Sequence, residues 1–127
     1  LRWPIGYPRY ITCAFHCYYE RGGWHTGLDM KYTTTNAGTI YAADRGRVEE
    51  VGYNQYSGYF VKINHNNGME TYYAHMRSRS WVVVGIVVNK GEAIGTIGMT
   101  GIATGPHLHF GVIIHGVYVD PCRYLYC

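Results

Sequence analysis

Charge is scarce in this chain. Only 15% of its 127 residues are Asp, Glu, Lys or Arg, and no block of like charge occurs. The formal net charge of +3 is mildly basic, and its thin distribution excludes the dense cationic footprint that nucleic acid demands. No apolar run approaches the roughly 20 residues needed to cross a bilayer, so no transmembrane segment is expected. Internal repeats, low-complexity stretches and linkers are also missing, which predicts one domain over residues 1–127. No leader is visible at Leu1, so a secretory leader would have been removed, or the chain is part of a longer one. An apolar content of 47% excludes a disordered chain.

Long helical patterns are wanting too. Strand signals fill their place over residues 39–54, 58–76, 81–98 and 107–119, each rich in Val, Ile, Tyr and Thr and punctuated by Gly or Asn. Asn67-Gly68 and the Gly116 region read as tight hairpin turns. Residues 1–38 read as irregular, with an extended arm at "WPIGYP". The expectation is an all-β fold, an antiparallel sheet core with groove-forming loops and little or no helix. The 14 tyrosines either line a groove for a polar polymer or serve as strand formers.

Four cysteines fall in two close pairs, Cys13 with Cys17 and Cys122 with Cys127. Their spacings do not match the usual zinc knuckles, and an even count in a small chain suits disulfides and an oxidising compartment. Local pairing is the first expectation; pairing between the chain ends and free thiols are the alternatives.

Three histidine-bearing stretches carry the chemistry. In "GPHLHF", His107 and His109 stand two apart, so a strand projects both to one face while Leu108 and Phe110 turn away. Two neutral imidazoles there form a metal-binding edge, or one ligand and one acid/base. In "HTGLD", His25 and Asp29 flank Gly27, and a bend at the glycine brings both heads to one point. In "TYYAHM", His75 lies near a strand end beside Tyr73, rigid beneath and open above. His25, Asp29 and His109 would give a metal three donors and leave a fourth position open, the pattern of a catalytic rather than a structural zinc site. His75 and His107 would then handle protons.

With these motifs in this order, the sequence resembles the lysostaphin-type zinc endopeptidases that cut peptidoglycan peptides. The resemblance rests on His25-Thr26-Gly27-Leu28-Asp29, Tyr73-Ala74-His75 and the run from Gly105 to Phe110. It extends through "VKINHNNG", "KGEAIGTIGMTGIATG" and "VDPCRYL". It implies one Zn²⁺ per chain held by His25, Asp29 and His109, with His75 and His107 as the catalytic pair. It further implies a groove over an antiparallel sheet, with Tyr73 and His16 as candidate groove residues. The substrate implied is bacterial cell-wall peptidoglycan, attacked by a monomer that is secreted or resident in the envelope. Two stretches depart from the family's form: "ITCAFHCYYER", and "SRSWVVVGIVVNKG", an uneven fit to the usual glycine-bounded turn. A non-catalytic wall-binding module, or a structural zinc domain in a larger assembly, is the alternative.

Overall fold

The computed structural model describes residues 1–16, 18–19, 23–103 and 105–127. Its strands in chain order are β1 (Arg9–Cys13), β2 (Tyr18–Tyr19), β3 (Gly23–Trp24), β4 (Leu28–Tyr32), β5 (Thr39–Tyr41) and β6 (Gly46–Asn54). They continue as β7 (Gly58–Asn66), β8 (Met69–Met76), β9 (Val87–Val88), β10 (Ala93–Thr96), β11 (Leu108–Ile114) and β12 (Val117–Val119). A 3₁₀ turn, Pro121–Arg123, follows, capped by the Asp120 side chain. The main sheet runs β1-β4-β11-β8-β7-β6-β9, and β12 also pairs with β11. Each pairing among the described residues is antiparallel.

The hairpins form where the turn chemistry placed them. Asn67 and Gly68, between β7 and β8, both take positive φ, as do His115 and Gly116 between β11 and β12. Two such residues in succession match the right-handed twist of the flanking strands. Two sequence expectations are corrected. Residues 1–38 are not irregular throughout, because β1 and β4 join the main sheet through the register Ile11↔Met30. Over residues 81–98 only β9 and β10 are strands; the Val-rich stretch between β8 and β9 is a turn held on β6 by Gly85 N–H to Val48 O and Val48 N–H to Ile86 O.

Alternation sorts the two faces of the sheet. Leu28, Met30, Val61, Ile63, Tyr73, Leu108, Phe110 and Val112 point into one apolar core, which Ile5, Ile40 and Ile94 complete from outside the main sheet. The residues between them, Asp29 on β4 and His109 on β11, face the other way. Beneath β8, His65 bonds the Arg45 carbonyl and the Thr71 hydroxyl, Thr71 bonds the Tyr73 hydroxyl, and that hydroxyl accepts the Ala43 N–H. Burial pushes the Tyr73 hydroxyl up to about 12. Tyr73→Phe strips the buried Ala43 N–H of its acceptor. It is expected to cost about 1–3 kcal/mol of stability in urea unfolding.

Cys122 and Cys127 are bonded across a Cα separation of 5.5 Å. Cys13 is also disulfide-bonded, while Cys17 lies outside the described residues.

Candidate active site

Three strands bring the site together. Asp29 on β4 stands opposite His109 on β11, and His109 stands opposite Ala74 on β8. His25 lies just before β4, and its Nδ1 donates to the Ala14 carbonyl at 2.9 Å. That bond fixes the tautomer, so Nε2 of the neutral ring carries a lone pair. It faces Asp29 Oδ1 at 3.0 Å and His109 Nδ1 at 3.0 Å. His109 Nδ1 lies 2.9 Å from the same Asp29 oxygen.

Three electron-rich atoms at the corners of a triangle this small call for a shared cation. Donors around a tetrahedral zinc, with bonds of about 2.0–2.1 Å, lie roughly 3.3 Å apart. The residues present therefore fit zinc in both chemistry and spacing. Titration reflects the same crowding. Burial works against a charged His25 ring, but the bond and charge of Asp29 outweigh it and raise its basicity. Burial also opposes the charged form of Asp29, yet His109 and His25 together hold its carboxyl well below the usual carboxylate range. Cys13 Sγ lies within 4.8 Å of the ligating atoms of His25 and Asp29. A sulfur committed to a disulfide carries no thiolate to offer, so Cys13 does not join the donor set.

His107 and His75 lie alongside. His107 Nδ1 donates to the Gly105 carbonyl at 2.8 Å, and its Nε2 sits 3.4 Å from Asp29 Oδ2. His75 Nδ1 donates to the Thr100 carbonyl at 2.7 Å. The His75 and His107 rings lie 4.8 Å apart between centroids. Burial, aided by the nearby histidines, pulls His75 down to about 4, so its ring is neutral near pH 7. Thr100 is itself clamped: its hydroxyl donates to the Met76 carbonyl and accepts the Tyr59 N–H. Thr100 and Pro106 also border an open depression of about 360 Å³, lined further by Thr35, Asn36, Met99 and Arg77.

Tyr73 is the expectation that fails. It was placed beside His75 on one strand face, but its side chain is 0% exposed in the core and cannot wall a groove. The reason is a bulge: the β7–β8 register shifts between Tyr59↔Met76 and Val61↔Tyr73. His75 takes a φ of 61° there. The alternation breaks, so Tyr73 turns inward while His75 joins the site. His16 lies close by, its backbone N–H donating to the His25 carbonyl at 2.9 Å and its ring stacked on Phe15.

The model of peptidase family M23 matches residues 23–121, most of the chain and the span in which His25, Asp29, His75, His107 and His109 lie. The chain belongs to peptidase family M23. Within that family it is 41% identical over 97 residues to the peptidoglycan DD-endopeptidase ShyC of Vibrio cholerae, a match covering 76% of this chain and 22% of ShyC. The chain thus spans only about a fifth of the length of that M23 relative. A zinc-containing peptidase from Vibrio cholerae superimposes with a TM-score of 0.83 at 31% identity, covering 93% of this chain and 37% of that one. The catalytic domain of lysostaphin from Staphylococcus simulans gives a TM-score of 0.78 at 28% identity, covering 93% of this chain and 91% of that domain.

Proposed function

We propose that this chain is the peptidase domain of a zinc-dependent endopeptidase. It hydrolyses amide bonds in the peptide part of bacterial peptidoglycan, in the envelope or outside the cell. The observation that carries the reading is the triangle of His25 Nε2, Asp29 Oδ1 and His109 Nδ1, with edges of 2.9–3.0 Å, beside two further histidines. The names of the M23 relatives supply the substrate class.

His25, Asp29 and His109 would hold one zinc ion per chain. Zinc bound there supplies Lewis acidity for attack of water on a carbonyl. His75 and His107 move the protons. Each ring has its Nδ1 proton committed to a carbonyl, so each presents Nε2 as the exchanging atom. Neutral His75 suits the acceptor of a proton from the attacking water. The pair then returns a proton to the leaving amine. The depression bordered by Thr100 and Pro106 receives one side of the peptide.

The test is release of soluble peptides from purified cell walls, followed by mass spectrometry. New amino termini are expected with zinc present. Release should stop on adding a chelator and resume on restoring zinc. Walls that bind the protein but yield no fragments would overturn the enzymatic reading.

A further inference from the structure

The turn between β8 and β9, together with the first residue of β9, is unusual in composition and in exposure. Trp81, Val83, Val84, Ile86 and Val87 are between 42 and 63% exposed, five large apolar side chains within seven positions. A polypeptide surface seldom groups so many without a partner for them. The segment is not loose. Val82 and Val88 are buried in the core, and Ser80 bonds the Ile94 carbonyl and the Val82 N–H. Gly85 donates to Val48 O, and the Arg47 guanidinium donates to Gly85 O at 3.1 Å. The apolar side chains are therefore held outward on a fixed turn.

Charge supplies the second observation. The chain has eleven Lys and Arg against eight Asp and Glu. Residues 77–90 contain Arg77, Arg79 and Lys90 and no acid, so the remaining eight cations match eight acids and the whole net charge resides here. Arg77, Arg79 and Lys90 are exposed. Glu92 is the nearest acid along the chain, and its carboxylate is engaged by the Asn89 N–H. The turn feeds β9, which ends the sheet opposite to β1, three strands beyond β8.

We infer that residues 77–90 form a docking tip for an anionic lipid surface. The apolar tip enters the headgroup boundary, and Arg79 and Lys90 meet the lipid phosphates. An exposed Trp suits the interface between hydrocarbon and water. A polyanionic wall polymer would engage the cations but leave the apolar tip in water. The apolar turn leads into β9 at the end of the sheet, whereas the histidine cluster draws on β4, β11 and β8. The inference does not depend on the metal site.

The test is sedimentation of the full chain with vesicles of phosphatidylcholine, with and without phosphatidylglycerol. Binding is expected only to the anionic vesicles and should weaken with added salt. R79A/K90A should bind about thirtyfold more weakly. V83D/V84D should bind about a hundredfold more weakly or worse. Brominated lipid should quench tryptophan emission in the native chain and much less in W81F. V83S/V84S serves if the aspartates disturb folding, and unchanged melting qualifies each variant. Absence of native binding to anionic vesicles would overturn the inference, as would equal binding by the variants. Concentration-dependent dimers abolished by V83D/V84D, with vesicles left unbound, would instead assign the tip to a second copy of the chain and overturn it equally.

Discussion

His109→Ala is expected to yield a protein without zinc and without hydrolysis, whereas His107→Ala keeps zinc and still fails to turn over. The two residues are neighbours on one strand edge, yet their contacts differ. His109 Nδ1 closes the donor triangle, 2.9 Å from Asp29 Oδ1 and 3.0 Å from His25 Nε2. Removing it leaves two donors, one short of the three protein ligands usual at a catalytic zinc. The loss in metal affinity should exceed the roughly 10–100-fold that removing an outer partner costs. His107 touches the outer oxygen of Asp29 at 3.4 Å, and the triangle stands without it. Its loss should reduce turnover by about 10²–10⁴, the usual worth of a positioned acid/base group. Metal analysis after dialysis, paired with peptide release from walls, separates the two variants. A His107→Ala protein cutting at the native rate would end the assignment of its role.

Gly27→Ala is expected to damage fold and site together. Gly27 lies outside the left-handed region, so it is not there for a bend alone. A Cβ at this position would sit 2.6 Å from the Phe110 carbonyl oxygen and 2.8 Å from His109 Cε1. The carbonyl belongs to β11 backbone and cannot swing aside without disturbing the pairing of Phe110 with Leu28. The His109 ring can yield only by moving its Nδ1 out of the triangle. A stability loss of about 1–3 kcal/mol is expected from the overpacking. Zinc affinity should drop at least about tenfold if the displaced ring is the ligand proposed above rather than an outer partner. Urea unfolding and a competitive zinc titration measure the two effects. A variant with native affinity would show that the ring tolerates the crowding.

How far the sequence reads true depends on what kind of atom does the work. The strand pattern and the two hairpin turns were legible because Asn-Gly and His-Gly supply positive φ where side-chain alternation reverses. The convergence of His25, Asp29 and His109 was legible because an imidazole or carboxylate head can come only from particular residues. The groups that aim the rings were not. Ala14, Thr100 and Gly105 act through their carbonyls, and any residue has a carbonyl. Tyr73 was misplaced because a one-residue bulge near His75 inverts the faces, and a bulge leaves no composition signal of its own. β1 and β4 escaped notice because each is five residues long and flanked by turn residues that dilute its pattern.

The opposition of Asp29 and His109 across the β4–β11 ladder has a last consequence. Backbone pairing holds those two side chains opposite one another, and the apolar core lies on the far side of the sheet. A zinc ion held there, as proposed, would be a guest in a socket cut beforehand, not a rivet closing the molecule. On the proposed zinc role, removing the metal is expected to stop turnover and leave the melting temperature of the fold little changed.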